Sequence, residues 1–574
     1  MGDIIDRDRL WAVLIVVALL LSGCAKVGPD FVRPEATVSP NWLEVEDKRV
    51  NNGPVNYRNW WQVFNDPVLD RLIDQAYREN LDLRTAGVRV LEARAQLGIA
   101  AGEFYPQIQQ ASGSVQYNRI SEHSPQAGLF QSSTSTSAPA TAPSKDKDHL
   151  TPVPMGQTRD SPPKPTSTAS TAKPPSNPLL GYWQSQIGLS ASWELDFWGK
   201  FRRAIESADA GLFATIADYD NTLVTLTGDV ANSYILIRTL EKRLQIARQN
   251  AEAQREGLRI AEARFEYGTS SELDVNQAKT VLNNTLASIP ALEAQLRQAQ
   301  DTLSVLLGLP PSLLTDELAG ASEIPEPPPR VAIGIPVDLL RRRPDIRSAE
   351  YQAAAQCAQI GVARAELFPA FSLTGSFGYL SSDVGKFKLS DMFDWRSRTI
   401  QAGPSVQWNI LNYGQITNNV RVQDARFQEL LIAYQNTVLK AQREVEDALV
   451  AFLKAQERAE LLAQSASAAQ RAVDLALLQY REGIQDYTTV LTAQLTLLNV
   501  QDNLANTLGD IAANLVGVYR SLGGGWEIRE GKDLVPPEVK EAMAKRTHWG
   551  RLLSPATYLP PDSEARKPVR LPDW

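Results

Sequence analysis

Two proline-free stretches of the sequence, 199–266 and 415–481, carry apolar residues at alternating spacings of three and four. In the second stretch, twelve successive positions of this pattern from Val438 to Ala476 are all apolar. Such heptad spacing is typical of coiled coils. A helix of about 67 residues rises roughly 100 Å, much longer than an ordinary globular helix. The chain must therefore form an elongated helical structure, either a fibrous coiled coil or the wall of a helical tube.

The two stretches belong to an internal repeat with an offset of 215 residues, which relates Trp193 to Trp408. In the first copy ten of the twelve heptad positions stay apolar, and the exceptions are Ser233 and Gln254. The repeat predicts two structural halves of the same design.

An insertion interrupts the first copy. Upstream of Pro106 the two copies of the repeat match at an offset of 263 residues instead of 215. The first copy therefore has about 48 additional residues between Pro106 and Trp193. About half of residues 121–180 are Ser, Thr or Pro. A segment with so few large apolar groups cannot offset the entropy of ordering, which predicts a disordered, extracellular loop.

Four segments alternate strictly between apolar and polar residues, the pattern of half-buried β-strands. They are Ile187–Phe197, Phe371–Tyr379, Ile400–Ile410 and, more weakly, Ala111–Tyr117. Each is about the length of a tilted transmembrane strand with a lipid face and a polar lumen face. A soluble sandwich is the alternative. Aromatic residues near the strand ends favour the membrane: Tyr182, Trp183, Trp198, Trp408 and Tyr413.

The sequence begins with a short apolar run, Leu10–Leu21, which is too short to span a membrane as a helix. Its length suits a secretory signal peptide. The next residues, Leu21-Ser22-Gly23-Cys24, resemble a bacterial lipobox, which predicts cleavage before Cys24 and lipid attachment to it. Ordinary cleavage beside a chance cysteine is the alternative. Ala25, in place of Asp, resembles lipoproteins that are sent on to the outer membrane.

Composition argues against several classes of protein. The net charge of −8 disfavours a nucleic-acid partner. Two cysteines and three histidines exclude a disulfide framework and make a zinc site or a histidine-dependent catalytic site improbable. The sequence also has no phosphate-binding loop and no convincing pair of catalytic carboxylates. We therefore predict a protein that is not an enzyme and has no metal or cofactor apart from the lipid on Cys24.

Several motifs, taken together, resemble a known family. They are Val27–Phe31 after Cys24, Trp60–Phe64, the arginine-rich stretch Leu339–Ile346, and Gln479–Ile484. They resemble the outer-membrane factors of tripartite efflux pumps, in the lipoprotein, NodT-type branch of the TolC-like family. The resemblance extends from Cys24 to about Gly525, except for residues 121–180.

The resemblance implies an α+β membrane protein with an internal twofold repeat, mostly of long coiled-coil helices. Three chains would form a periplasmic α-barrel of twelve helices, and four transmembrane strands per chain would form a twelve-stranded β-barrel. Physical chemistry also requires an oligomer, because four strands leave two open edges that lipid cannot satisfy. The choice of three copies over two rests partly on the resemblance.

The resemblance also implies partners and a location. The chain is expected to be a homotrimer, lipid-anchored in the outer membrane of a Gram-negative bacterium and extending into the periplasm. Its function would be the passive export of small molecules or drugs, delivered by a periplasmic adaptor and a proton-driven inner-membrane transporter of the RND type. Two alternatives stay open: a type I secretion duct for polypeptides, and a periplasmic coiled-coil structural lipoprotein.

These inferences divide the chain into six parts. They are a signal peptide (1–23), a lipidated N-terminal segment (24–65), the first repeat (66–322), a proline-rich linker (323–336), the second repeat (337–524), and a tail around the equatorial region (525–574).

In the family, the lumen closes at two helix-turn-helix tips. Asp274, six residues after Gly268, fits the gate aspartate, although it is also a residue type that the helix dipole favours in a first turn. The second repeat departs from the acidic pattern, because threonines stand at its three gate positions: Thr488, Thr489 and Thr492. The expected adaptor-docking tips are Tyr267, Gly268 and Thr269 in the first repeat and Glu482, Gly483 and Ile484 in the second.

Overall fold

The computed structural model describes residues 26–51, 53, 56–119, 121, 181–320, 323–334, 336–337, 342–383 and 388–554. The predicted signal peptide, Cys24 and residues 122–180 of the predicted loop lie outside these residues. The chain divides into two compact units. A helical unit comprises the described parts of 1–105, 196–369 and 408–574, and a sheet unit comprises those of 106–195 and 370–407.

The helical unit contains eight α-helices among its described residues. They are α1 (Pro67–Glu79), α2 (Leu81–Gly102), α3 (Lys200–Glu266), α4 (Glu272–Leu306), α5 (Pro344–Ala365), α6 (Gln415–Arg481), α7 (Tyr487–Ser521) and α8 (Pro537–Arg546). The long helices α3 and α6 have 67 residues each, and α4 and α7 have 35 each. Nowhere in the described part of the chain does a helix combine the length and apolar character needed to cross a membrane.

Glycines mark the ends of both long helices. Gly199 and Gly414 precede α3 and α6 with φ angles of 76° and 82°, in the left-handed region that disfavours other residues. Gly268 and Gly483 follow the same helices with φ angles of 67° and 76°. Left-handed glycines after a last helical turn are common helix stops, and the predicted extents of both long helices are confirmed.

In the sequence, Asp66 as a helix N-cap followed by Pro67 predicts one helix from Pro67 to about Phe104. This prediction is wrong, because the structure has two helices there. The chain breaks at Asn80, whose backbone is extended and whose side chain accepts a hydrogen bond of 2.8 Å from the amide of Leu83. Its Nδ2 atom donates to the carbonyl of Leu306 at 3.0 Å. Asn80 therefore ends α1 and caps α2, because its side chain competes with the helix for backbone groups.

The described residues contain six β-strands: β1 (Val50–Asn51), β2 (Ile108–Arg119), β3 (Gly181–Leu195), β4 (Val331–Ala332), β5 (Ala370–Ser382) and β6 (Arg398–Gln407). The sheet unit is a four-stranded antiparallel sheet in the order β2-β3-β5-β6. The short strands β1 and β4 pair in parallel within the helical unit. Leu189 of β3 pairs with Ala111 and with Phe377, so residues predicted to share a face align across the sheet. The four predicted strands are confirmed.

Helix α3 supplies much of the core of the helical unit. Its predicted heptad positions Val230 and Ile237 are fully buried, as are Val445 and Phe452 of α6. Their burial follows from the heptad spacing, which places successive apolar side chains along one stripe of each helix.

A buried ion pair joins the tail after α7 to α3. Asp220 is fully buried, and Arg529 donates to its two carboxylate oxygens through Nε and, at 2.8 Å, through Nη2. Arg347 of α5 lies 3.5 Å from the same carboxylate. Three separate parts of the chain thus meet at one buried acidic group.

The N-terminal segment is held against α3 and α5. Arg203 is 1% exposed and donates to the carbonyls of Val27 at 3.1 Å and Gly28 at 3.0 Å. Gly28 has a φ angle of 95°, and a Cβ atom there would lie 2.5 Å from the Cα atom of Gly361. Only a glycine permits this approach, so residues 27–28 occupy a closely fitted position.

Candidate functional site at the hairpin tips

The first tip is the turn between α3 and α4. The amide and the hydroxyl of Thr269 donate to the carbonyl of Arg264 at 2.8 and 3.0 Å, which closes the turn around Gly268. Tyr267 is 82% exposed, and Gly268 and Thr269 are exposed as well. The three residues predicted to dock an adaptor thus form an accessible turn in this chain.

Asp274 lies in the first turn of α4 and uses both carboxylate oxygens. The hydroxyl of Ser271, the N-cap residue, donates to Oδ1 at 3.0 Å. The hydroxyl of Tyr480, from the end of α6, donates to Oδ2 at 3.3 Å. Asp274 is therefore a helix-start residue that also bonds to the other hairpin, and its role as a gate stays a prediction.

The second tip joins α6 to α7 in a similar way. The amide of Ile484 donates to the carbonyl of Gln479 at 2.9 Å across the left-handed Gly483. Ile484 is 69% exposed, and Glu482 and Gly483 are also exposed. The turn again presents its predicted docking residues to solvent.

The three predicted gate threonines share a groove between α6 and α7, with a volume of about 530 Å³. Its lining residues are Ala469, Ala472, Asp486, Thr488, Thr489, Thr492, Ala493 and Thr496. The hydroxyl of Thr492 donates to the carbonyl of Thr488 at 2.9 Å, and that of Thr489 donates to Asp486, the N-cap of α7, at 3.3 Å. These hydroxyl protons are used within one helix end, so the second repeat contributes a neutral, small-residue surface with one carboxylate.

Tyr480 is the centre of the contact between the two tips. It is 1% exposed, and its ring meets that of Tyr487 edge-on with centroids 5.1 Å apart. Burial raises the pKa of Tyr480, and burial likewise raises the pKa of Tyr487 to about 12. Both phenols are therefore neutral at physiological pH, and the Tyr480 hydroxyl acts as a hydrogen-bond donor to Asp274.

Arg264 makes a second connection between the tips. Its Cζ atom lies 4.7 Å from the centre of the Tyr480 ring, within the range of a cation–π contact. Its guanidinium donates to the carbonyl of Tyr480 and, at 3.2 Å, to that of Thr269. Arg264 is not among the site residues predicted from the sequence, although a cation in the last turn before a helix-ending glycine is a recognisable signal.

Small apolar residues fill the space behind these polar contacts. Ala261, Val275 and Ala278 from the first hairpin pack with Ala476 and Val490 from the second. Two hairpins that are far apart in sequence therefore form one packed site inside a single chain.

A family model described as "Outer membrane efflux protein" matches residues 169–309 and 335–524. These ranges include both hairpins and three of the four strands of the sheet. The chain belongs to the outer membrane efflux protein family. The family resemblance predicted from the sequence is confirmed.

Named relatives of this efflux-family chain match most of its length. Nodulation protein T of Rhizobium leguminosarum bv. trifolii is 30% identical over 509 residues, which cover 89% of this chain and 96% of the relative. The toluene efflux pump outer membrane protein TtgI of Pseudomonas putida is 31% identical over 523 residues, covering 89% and 97%. The pyoverdine export outer membrane protein OpmQ of Pseudomonas putida is 31% identical over 471 residues, covering 82% and 88%.

The solved structure of the outer-membrane channel OprN superposes with a TM-score of 0.73 at 30% identity. The match covers 88% of this efflux-family chain and all of the OprN chain. The predicted TolC-like, mostly helical channel fold is confirmed.

Proposed function

We propose that this protein is the outer-membrane exit duct of a tripartite efflux system and exports small molecules passively. The family match across both hairpins carries the proposal, and the relatives named for toluene and pyoverdine export support it. An inner-membrane transporter supplies the energy, and the duct itself performs no catalysis. The gene should be deleted and the accumulation of a fluorescent dye compared with that in the complemented strain. Increased accumulation is expected; loss of a secreted polypeptide with unchanged dye levels would instead indicate a secretion duct.

The duct is a homotrimer in this proposal, with twelve strands in its β-barrel and an α-barrel built from two repeated halves. The strand order supports it, because β2 and β6 are edge strands whose unpaired backbone groups lipid cannot satisfy. Equal helix lengths, 67 and 35 residues in each half, support the repeat. Purified protein should run as a heat-modifiable trimer band on electrophoresis. A stable monomer in detergent at all concentrations would contradict the proposal.

The exposed tips dock the periplasmic adaptor in this proposal, and the transporter is of the RND type. Tyr267 and Ile484, at 82% and 69% exposure, offer apolar contacts on two adjacent turns. A photo-crosslinking residue at each position should capture the adaptor in cells. The same residue at Leu43, also exposed at 80%, is the matched control.

The tips also form the gate in this proposal, with Asp274 as its charged member and Thr488, Thr489 and Thr492 as its neutral members. The contact of Asp274 with the other hairpin supports this role, because a bond between hairpins resists their separation.

Lipid on Cys24 anchors the mature chain in the outer membrane in this proposal. The fixed position of the following residues supports it: the amide of Val27 donates to the carbonyl of Trp198 at 3.0 Å, and Lys26 contacts Glu206 at 3.0 Å. Only one residue, Ala25, therefore separates Cys24 from the docked segment in the sequence. Cys24→Ser should abolish metabolic labelling with palmitate and leave the trimer in the outer-membrane fraction. A labelled Cys24→Ser chain would contradict the proposed lipidation site.

A further inference from the structure

Gln254, one of the two polar residues that interrupt the heptad pattern of the first repeat, is 1% exposed in the structure. It lies on α3, which packs against α7 of the second repeat. On α7, Gln494 is 2% exposed and Tyr487 is 1% exposed. A buried polar residue in a coiled-coil core lowers stability but can specify the register of the helices. Apolar packing therefore does not explain these three buried polar side chains in the interface, or seam, between α3 and α7.

Polar pairs occupy the same seam farther from the tips. Arg243 donates to the carboxylate of Asp502 at 2.7 and 3.1 Å. The Nδ2 atom of Asn250 donates to Oε1 of Gln501 at 2.7 Å. These layers are satisfied by direct contacts between the two helices. Gln254 follows Asn250 by about one helical turn on the buried face of α3.

The buried polar groups of the next layer toward the tips make no such hydrogen bonds to each other. The amide oxygen and nitrogen of Gln254, those of Gln494 and the hydroxyl of Tyr487 have no hydrogen-bond partner among the described residues. The three side chains are already buried within one chain, so neither a neighbouring subunit nor bulk solvent can reach them.

Gly257 of α3 lets the side chains of Tyr487 and Gln494 approach the α3 backbone closely. A Cβ atom at Gly257 would lie 3.2 Å from the Tyr487 hydroxyl and 3.3 Å from Nε2 of Gln494. Glycine in a helix interior is less stable than alanine, so its presence is explained by this close approach. The two unpaired groups of α7 therefore converge on one point of α3, one turn from Gln254.

We propose that Gln254, Gln494 and the Tyr487 hydroxyl form a buried water-binding layer that specifies the register between α3 and α7. Water is the ligand because it is small and can donate to the amide oxygens and accept from the amide nitrogens and the phenol. Leaving these groups dry would destabilise the seam. A one-heptad slip would move Gln254 and Gln494 apart and away from the shared water, so the layer penalises the wrong register.

The first test is a structure of the unsubstituted full-length protein at a resolution that shows ordered water. We expect water within hydrogen-bond distance of both Gln254 and Gln494. Amides that bond directly to each other, or to other protein groups, would overturn the water site. This measurement needs no variant and does not depend on what the duct exports.

The second test measures register by disulfide crosslinking in a Cys357→Ala background. The pair Asn250→Cys with Gln501→Cys reports the native register, and Asn250→Cys with Leu508→Cys reports a slip of one heptad. For each cysteine pair, the amount of crosslink is compared between the parent and a variant that carries both Gln254→Leu and Gln494→Leu.

We expect the two leucines to increase the slipped crosslink several-fold, whereas Gln295→Leu with Gln298→Leu, on the exposed face of α4, leaves it at the parent level. If the slipped crosslink stays at the parent level in a leucine variant that still forms the native one, the layer does not specify register. If the leucine variant fails to fold, the water measurement on the unsubstituted protein still decides whether the site exists.

Discussion

The hydroxyl of Tyr480, at the end of the long helix of the second hairpin, lies 3.3 Å from Oδ2 of Asp274, in the first turn of the short helix of the first hairpin. The donor is neutral and the acceptor is a carboxylate, and the donor is buried. This hydrogen bond connects the two tips at the position where the family resemblance implies a gate.

Removing either partner of this bond should favour separation of the tips. We expect Tyr480→Phe and Asp274→Ala each to raise the resting conductance of the purified protein in planar bilayers, through a loss of about 1 kcal/mol of closed-state stability. The double variant should be less than additive, because both single changes remove the same bond. Additive effects would show that the two residues act separately.

The threonines of the second repeat provide the control for that experiment. Thr492 is exposed, and its hydroxyl donates within its own helix, so Thr492→Ala removes no bond between the hairpins. We therefore expect Asp274→Ala to raise conductance more than Thr492→Ala does, and to lower cation selectivity, since it removes a carboxylate. A pore opened by Thr492→Ala and unaffected by Asp274→Ala would assign the gate to the second repeat.

Arg264 should matter for its shape as well as its charge. Its planar guanidinium contacts the Tyr480 ring and two carbonyls at once, and an ammonium cannot reproduce that arrangement. We expect Arg264→Lys to raise the resting conductance nearly as much as Arg264→Ala. Arg259→Ala is the control, because Arg259 lies on the exposed surface of the same helix and pairs with Glu256 one turn away. Full retention of parent conductance by Arg264→Lys would show that charge alone suffices.

The sequence predicts the long helices well because their determinants are local. Heptads without proline run between Gly199 and Gly268, and the left-handed glycines end each helix at the predicted place. The break at Asn80 is not predictable from periodicity, because it depends on a side chain that binds its own backbone and the distant carbonyl of Leu306. The contacts of Arg264 with Tyr480 are not predictable either, since they require α3 and α6 to pack side by side.

The buried ion pair in the core also depends on distant parts of the chain and is not predictable from local sequence. Asp220 lies on the buried face of α3, and the residues around it give no local sign of its partner, Arg529 in the tail. We expect Asp220→Ala to lower the free energy of unfolding by about 3–5 kcal/mol, because Arg529 then stays buried without its counter-charge. Urea unfolding followed by circular dichroism checks this.

Two further variants make that test specific. Asp220→Leu combined with Arg529→Met and Arg347→Met should recover much of the loss, since neither of the two buried arginines that pair with Asp220 then remains without a counter-charge. Glu252→Ala removes an exposed ion pair with Arg255 and should leave stability nearly unchanged. An equal loss from Glu252→Ala would show that the unfolding measurement does not report burial.

Gly28 and Gly98 give the final prediction, because alanine should act in opposite directions at these two glycines. At Gly28 the φ angle is 95° and a Cβ atom would approach the Cα atom of Gly361 to 2.5 Å, so Gly28→Ala introduces strain of about 1–3 kcal/mol. At Gly98, inside α2, a Cβ atom would meet nothing within 4 Å, and alanine favours the helix by about 1 kcal/mol.

We expect Gly28→Ala to release the N-terminal segment from Arg203, which hydrogen exchange of residues 26–38 would record as faster exchange. Gly98→Ala should leave that exchange unchanged and slightly raise thermal stability. The segment also contacts α5 through Arg33, which donates to Glu350 at 2.9 Å, and α6 through Gln442, which donates to the carbonyl of Thr37 at 3.0 Å. Equal protection of the segment in both variants would mean that these contacts, rather than the fit at Gly28, hold it in place.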